Sequence, residues 1–188
     1  VDLIEASKSS ASIPIIASIN CVYSHEWVSF AKKIQDSGAD AIELNMFFLP
    51  SDFSRSTEEQ ERMYFAIIDK LTASVSIPIA LKISHYFSNL GQMIQRLSQT
   101  GVSGLVLFNR FYSPDIDIEN FKTKSSFVLS SPGELAISLR WIAIMAQKVD
   151  CDLAASTGIH DGDAVIKRLL AGATAVQVTS CLYKNGVD

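Results

Sequence analysis

Short apolar segments alternate along the chain with segments in which apolar residues recur every three to four positions. Six segments are apolar at consecutive positions, as expected of strands that are buried on both faces of a sheet. These predicted strands cover residues 13–20, 41–46, 77–84, 104–110, 152–157 and 175–180. The helical spacing is found at residues 25–37, 57–74, 87–99, 132–148 and 162–170. A strand followed by a helix, repeated, predicts a parallel α/β sheet.

Three of the predicted helices end at a glycine. Gly38, Gly101 and Gly172 each lie three residues before a predicted strand. Glycine accepts the left-handed backbone conformation that closes the last turn of a helix, after which the chain can re-enter the sheet. Coincidence among the nine glycines of the chain is the alternative interpretation.

Two predicted helices begin with capping signals. Thr57 and Gln60 fit a capping box, in which the threonine hydroxyl and the glutamine amide satisfy free backbone groups. Ser131 followed by Pro132, with Glu134 in the first turn, predicts the start of another helix.

Six strand–helix units leave two architectures open. A TIM (β/α)₈ barrel has eight units and typically about 250 residues, whereas this chain has 188 residues. An open doubly wound sheet is complete with six strands, but a glycine-rich turn usually follows its first strand. Residues 20–24 contain no glycine. The pattern alone favours neither architecture.

The composition is typical of a folded cytoplasmic protein. The chain is 48% hydrophobic with a mean hydropathy of +0.22, which suits one domain over residues 1–188. The 16 basic and 20 acidic residues include no basic run, so a nucleic acid is not an expected partner. The longest purely apolar run, residues 141–146, is far too short to span a membrane, and no secretion leader opens the chain. Because the first residue is Val1 rather than Met, we expect a fragment.

Cysteine and histidine predict no metal site. His25 and His160 lie at predicted helix starts and His85 follows a predicted strand, without a convergent set of ligands. The three cysteines are odd in number and lack metal-ligand spacing, which suits a reducing compartment: they are Cys21, Cys151 and Cys181.

The ends of the last two predicted strands carry the most candidate chemistry. Ser156, Thr157 and Gly158 precede a helix, and Thr179 and Ser180 close the next strand. Small residues at such turns let backbone amides approach an anion, and the hydroxyls add further donors. In TIM barrels the loops after strands seven and eight frequently bind phosphate, which would make the first visible strand the third. Two ordinary tight turns are the alternative.

Polar residues also interrupt three predicted strands. Lys82 lies inside an apolar strand, where its ammonium requires an anionic partner unless the side chain reaches water at the strand end. Asn45 and Asn109 end two other strands and offer a donor and an acceptor together. At the mouth of one barrel, these three side chains would recognise a planar polar ligand.

Five segments together resemble the dihydroorotate dehydrogenase family, FMN-dependent barrels of pyrimidine biosynthesis. In chain order they are residues 13–18, 43–45, 78–82, 156–159 and 169–186. The resemblance covers nearly the whole chain and is most specific near its end. It implies a TIM barrel of which strands 3–8 are visible, a single partial-barrel domain over residues 1–188, a small-molecule substrate, no membrane segment, and a homodimer.

The resemblance implies an FMN-dependent oxidoreductase that passes a hydride from dihydroorotate to the flavin and so forms orotate. Lys82 matches a lysine that contacts FMN and is needed for flavin chemistry. Asn45 and Asn109 match asparagines that contact the substrate or the flavin. The turns Thr157–Gly158 and Thr179–Ser180 match those whose amides hold the FMN phosphate. In each turn a threonine replaces a glycine that the family usually carries.

The chain departs from the family where the family carries its general base. A Cys in the soluble class, or a Ser in the membrane-linked class, removes the substrate proton, whereas this chain has Phe47 and Phe48 in that segment. Phenylalanine accepts no proton, and a general base typically contributes about 10²–10⁴-fold. The base is therefore unknown, with Asp52 as the first candidate and Ser51 and Ser54 behind it.

This departure leaves two further functions open. One is a related flavoprotein whose aromatic loop selects another substrate, and the other is a non-catalytic flavin- or phosphate-binding fragment. The chain also lacks the family's first two strand–helix units, so we expect upstream sequence or a partner to cover two open strand edges.

Overall fold

Six parallel strands form one sheet in the computed structural model, which describes residues 1–20, 26–111, 113–126 and 128–186. The strands in chain order are β1 (Ile16–Ile19), β2 (Ala41–Met46), β3 (Ile79–Ile83), β4 (Gly104–Leu107), β5 (Pro114–Asp117), β6 (Lys122–Ser125), β7 (Asp152–Ala155) and β8 (Ala175–Val176). The order in the sheet is β1-β2-β3-β4-β7-β8, and β5 and β6 form a separate antiparallel hairpin. The six predicted strands are confirmed, although β8 is only two residues long.

Helices alternate with the strands of the sheet, as predicted. They are α1 (Asp2–Ser10), α2 (Glu26–Asp36), α3 (Thr57–Thr72), α4 (Leu90–Ser98), α5 (Leu135–Met145), α6 (Gly162–Leu170) and α7 (Ser180–Asn185), with a 3₁₀ turn over Pro132–Glu134. None of these helices, within the part of the chain that the structure describes, is long and apolar enough to cross a membrane.

Glycine ends the helices as the sequence predicts. Gly38, Gly101 and Gly172 have φ angles of 84°, 82° and 108°, in the left-handed region that the prediction requires. The predicted capping box is displaced by one residue, because Ser56 rather than Thr57 caps α3. Its hydroxyl accepts from the backbone N–H of Glu59, whose carboxylate accepts in return from the N–H of Ser56.

The two faces of the sheet differ in polarity. Ile42, Leu44 and Met46 of β2 are completely buried in the core that the sheet forms with the helices. Glu43 and Asn45 alternate with them and therefore lie on the opposite face. Burial on both faces, as the sequence predicts, holds for β2 and β3, whose residues are all buried or half-buried, but the inner face carries polar side chains.

The inner face is concave, which distinguishes a partial barrel from an open sheet. Gln177, directly after β8, donates a hydrogen bond to Glu43 of β2, although three strands separate β2 from β8 in the sheet order. Among the described residues β1 and β8 pair with no further strand and form the two edges of the sheet. The predicted partial TIM barrel is therefore confirmed over an open doubly wound sheet.

Two elements of the structure are absent from the sequence predictions. The amino-terminal helix α1 precedes the first strand and is held by Lys8, whose ammonium lies 2.8 Å from the Asp40 carboxylate. The hairpin of β5 and β6 lies inside the long connection over residues 111–130. Cys21 and His25 fall outside the described residues.

Candidate functional site

A charged network occupies the inner face of the sheet. The Lys82 ammonium donates to the Gln177 amide oxygen at 2.7 Å and lies 3.7 Å from the Glu43 carboxylate. The same carboxylate accepts from the Ser18 hydroxyl at 2.9 Å and from the Gln177 amide nitrogen. The anionic partner that Lys82 requires is thus Glu43, which is only 5% exposed.

Sequence reasoning missed Glu43, Gln177 and Ser18 as members of this network. Glu43 carries the same signal as Lys82, since both are charged residues inside an apolar strand. Pairing of β2 with β3 aligns Glu43 with Ala80 and Asn45 with Lys82, so the two charges are close neighbours on one face. The partner of the lysine could therefore have been found from strand register.

Asn45 and Asn109 lie together at the carboxyl ends of β2 and β4. The Asn109 amide nitrogen donates to the Asn45 amide oxygen, and the Asn109 oxygen accepts from the backbone N–H of Arg110 at 2.7 Å. Their amide planes are therefore fixed by each other and by the backbone. The structure brings Asn45, Asn109 and Lys82 to one end of the barrel, as the sequence predicts.

A cavity of about 180 Å³, the mouth cavity, brings together the residues predicted to bind a cofactor. Lys82 and Asn109 line it, and so do both turns, Thr157–Gly158 and Thr179–Ser180. The remaining lining residues are Arg110, Val128, Ser130, Ser156, Ile159 and Gln177. Asn45 is joined to this cavity through Asn109.

The first turn is held in a constrained conformation. Thr157 and Gly158 both have a φ angle of 75°, which a β-branched residue rarely adopts. The Thr157 hydroxyl donates to the carbonyl oxygen of Phe108 at 3.1 Å. A Cβ atom on Gly158 would lie 2.4 Å from the backbone nitrogen of Leu135, so this position has room for glycine alone. The turn is therefore packed directly against the start of α5.

Hydroxyl groups connect the two turns. The Ser130 hydroxyl donates to the Ser180 hydroxyl at 2.9 Å, accepts from the Gly158 amide at 3.4 Å and lies 3.1 Å from the His160 Nε2 atom. The ammonium of Lys184 donates to the Ser130 carbonyl at 3.3 Å. Neutral and cationic donors thus converge beside the mouth cavity, a donor set that suits an anion.

A second cavity of about 350 Å³, the aromatic cavity, adjoins the first. Its lining includes the rings of His85, Tyr86, Phe108 and Phe111, and it shares with the mouth cavity four residues: Asn109, Arg110, Ser156 and Thr157. Burial lowers the pKa of His85, which favours the neutral imidazole. This cavity offers flat apolar walls beside the polar mouth cavity.

An ion pair lies in the wall of the aromatic cavity. The Arg110 Nε atom donates to the Glu134 carboxylate at 2.6 Å, and both residues line the aromatic cavity. Burial tends to raise the pKa of Glu134, but hydrogen bonds from Arg110 and Ser131 outweigh it and hold that pKa below its ordinary value. Glu134 therefore stays ionised and paired rather than free to accept a substrate proton.

The loop over residues 47–56 begins with two aromatic side chains that pack against other rings, and neither of them lines the mouth cavity or the aromatic cavity. The Phe47 ring packs edge-on against Phe111, with 5.0 Å between centroids, and Phe48 packs in the same way against Tyr64 at 5.1 Å. The Phe48 amide donates to the Tyr64 hydroxyl at 3.2 Å. Burial raises the pKa of Tyr64 to about 12, so its phenol stays protonated near neutral pH.

The candidate bases lie away from both cavities. Asp52 is exposed, 2.9 Å from the Arg55 guanidinium, and hydrogen bonds from Ser54 hold its pKa below its ordinary value. Ser51 is also exposed, and none of Ser51, Asp52 and Ser54 lines the mouth or the aromatic cavity. Within the described ranges, no group of three or more potential metal-binding side chains comes together.

The sequence of this chain is similar to the sequences of known proteins. The sequence model of the family described as "Dihydroorotate dehydrogenase" matches residues 2–188. Dihydroorotate dehydrogenase A (fumarate) of Lacticaseibacillus paracasei is 30% identical over an alignment of 183 residues, and the match covers 91% of this chain and 60% of that protein. The catalytic subunit of dihydroorotate dehydrogenase B (NAD(+)) of Thermoplasma volcanium is 26% identical over an alignment of 180 residues, and the match covers 94% of this chain and 59% of that protein. The chain spans about three fifths of the length of these relatives.

Solved structures show the same fold. A crystal structure of DHODH from Eimeria tenella in complex with ferulenol superimposes with a TM-score of 0.66 and 19% sequence identity. The match covers 88% of this chain and 51% of that chain.

Proposed function

Because the chain belongs to the dihydroorotate dehydrogenase family, whose members are flavoproteins, we propose that it binds FMN and oxidises a CH–CH bond of a small dihydropyrimidine-like substrate. The supporting observation is the mouth cavity, where Lys82, Asn109 and the two turns meet. We also propose that the protein is cytoplasmic and forms a homodimer.

The residues around the mouth cavity fit the phosphate of this cofactor. The Gly158 amide and the hydroxyls of Ser130 and Ser180 already exchange hydrogen bonds with one another, so an incoming phosphate would replace weak neutral contacts with charge-assisted ones. Lys184 and His160 extend this donor set. The arrangement favours a phosphorylated ligand over an uncharged one.

Each remaining polar group has a role that its contacts support. FMN, when bound, supplies the two-electron chemistry. Glu43 and Gln177 hold the Lys82 ammonium at the inner face, where it stabilises negative charge. The mutually fixed amides of Asn45 and Asn109 orient a planar substrate through hydrogen bonds without having to reorganise.

A second candidate function is favoured by the aromatic loop. Phe47 and Phe48 are held against Phe111 and Tyr64, which leaves the segment apolar where the family carries its base. A related flavoprotein acting on a more apolar or aromatic substrate fits this environment, with the aromatic cavity as the place where such a ring binds. A protein that binds flavin but oxidises no substrate would instead be the non-catalytic flavin-binding alternative.

The decisive experiment is flavin titration followed by rapid reduction. We expect the intact gene product to bind FMN more tightly than riboflavin, measured by flavin fluorescence. Anaerobic mixing with dihydroorotate then tests the substrate, and fumarate and NAD⁺ are compared as acceptors because relatives are named for each. Failure to bind FMN would overturn the proposal, whereas flavin that is reduced only by other substrates would support the second candidate.

A further inference from the structure

Arg168 is a buried cation that has no acidic partner among the described residues. It lies on α6, is 0% exposed, and donates through Nη2 to the carbonyl oxygen of Thr157. Its Nε and Nη1 atoms have no hydrogen-bond partner among the described residues. Buried arginines are normally paired with a carboxylate, because an isolated buried charge is costly. Burial accordingly lowers the pKa of this guanidinium.

The contact with Thr157 determines the direction of the next amide. In a trans peptide the carbonyl oxygen and the following N–H point in opposite directions. With the Thr157 carbonyl directed at Arg168, the Gly158 N–H is directed away from it, towards the Ser130 hydroxyl that lines the mouth cavity. Arg168 therefore fixes the peptide whose N–H faces the proposed phosphate position.

We propose that Arg168 is a positioning residue for anion binding. Its guanidinium orients the Thr157–Gly158 peptide and places an uncompensated positive charge behind that peptide, and this charge attracts a phosphate dianion on the other side. This inference rests on the proposed function, since the anion is the phosphate of the bound flavin. The buried charge acts through the turn, because electrostatic interactions are screened less inside the protein than in water. The two guanidinium nitrogens without partners are consistent with a charge that is balanced only when the anion is bound.

Three variants separate the charge of Arg168 from its hydrogen bond. R168Q keeps a donor for the Thr157 carbonyl without the charge, R168K keeps the charge, and R168M removes both. K167Q is the matched control, because Lys167 is the adjacent, exposed cation on the same helix. The readout is the ratio of riboflavin to FMN dissociation constants in the intact gene product, together with the thermal unfolding midpoint of each variant.

We expect R168Q and R168M to reduce the preference for FMN by about tenfold, equivalent to about 1.4 kcal/mol, with riboflavin affinity nearly unchanged. R168K should retain most of the preference, and K167Q all of it. R168M should unfold at the same temperature as the wild type or higher, because an unpaired buried charge has been removed. A purely structural arginine would instead lower the unfolding midpoint and weaken both flavins equally.

The outcomes distinguish this inference from the proposal on which it rests. An unchanged FMN preference in R168Q and R168M, with a wild type that does prefer FMN, would overturn the role of Arg168 alone. A loss in R168K as large as that in R168Q would also overturn it. A wild type that binds neither flavin would overturn both proposals. If R168M does not fold, R168Q and R168K still decide.

Discussion

At the scale of single residues, the site depends on charges that are buried with partners. Glu43 and Lys82 are 7% and 18% exposed at their side chains, and each is the ionic partner of the other. Removing one member of such a pair leaves the other charge desolvated without compensation, which is more costly than removing both. The two residues must therefore be substituted together before a catalytic effect can be separated from a structural one.

The first prediction concerns this pair. We expect K82M to lower the free energy of unfolding by about 1–3 kcal/mol, because Glu43 loses its ionic partner. The double variant K82M/E43Q should recover most of that stability, measured by urea unfolding. Flavin reduction should stay slow in both variants if Lys82 acts in the chemistry. Recovery of flavin reduction in the double variant would assign Lys82 a structural role only.

The second prediction concerns the missing base. Oxidation of dihydroorotate removes a proton from carbon as a hydride leaves, and Phe47 and Phe48 accept no proton. We therefore expect stopped-flow reduction of bound FMN by dihydroorotate to be slower than the roughly 1–10³ s⁻¹ typical of enzymes. D52N should leave the residual rate unchanged, because Asp52 is exposed and paired with Arg55. A fast wild-type rate that D52N abolishes would identify Asp52 as the base.

At the scale of elements, helix ends determine how each strand enters the sheet. The third prediction compares Gly38 and Gly172, which both have positive φ angles. A Cβ on Gly38 meets no atom within 4 Å, whereas one on Gly172 would lie 2.4 Å from the Ala146 Cβ. G38A should cost about 1 kcal/mol of stability from backbone strain, and G172A a further 1–3 kcal/mol from overpacking. Equal losses in chemical denaturation would contradict the packing argument.

The fourth prediction concerns the attachment of α1. Hydrogen bonds from the Ile15 amide and from Lys8 hold the pKa of Asp40 below its ordinary value of 3.8. A carboxyl with a lowered pKa contributes stability above its unfolded-state pKa and loses it as the pH falls through the folded-state pKa. We expect D40N to be less stable than the wild type at pH 7, and the difference to shrink below about pH 3.8.

Urea unfolding of the two proteins over this pH range measures the effect. D2N is the control, since Asp2 is an exposed carboxylate of the same helix. A difference between D40N and wild type that does not depend on pH would mean that the ionised carboxylate of Asp40 contributes nothing to the attachment of α1.

The sequence patterns predict strands and helices better than they predict which side chains contact one another. Apolar runs and helix-ending glycines identified the sheet because each signal is local. Helix α1 buries none of its residues, and the strands of the hairpin are polar, so neither carries an apolar pattern that could be recognised. The Gln177 partner of Lys82 was missed because the two residues are 95 positions apart in the chain and meet only through the curvature of the sheet.

At the scale of the whole molecule, curvature brings the site together. Pairing between adjacent strands does not by itself bring the segment after β8 close to β2. The curvature of the sheet does, because Gln177 contacts both Glu43 and Lys82 across the concave face. Because the described part of the sheet has two edges, backbone pairing does not close it into a ring. Side-chain hydrogen bonds across the interior therefore supplement the strand ladder in holding the two halves of the sheet together.

The Glu43 carboxylate has a mechanical consequence. Ser18 from β1, Lys82 from β3 and Gln177 from beyond β8 all contact this one group. These contacts oppose any movement of β1 and β8 away from each other, which would flatten the curved sheet. The width of the mouth cavity, which Lys82 and Gln177 also line, is then limited by the length of a single side chain. An aspartate at position 43 would be shorter by one methylene, and these contacts could be kept only if the sheet curled more tightly.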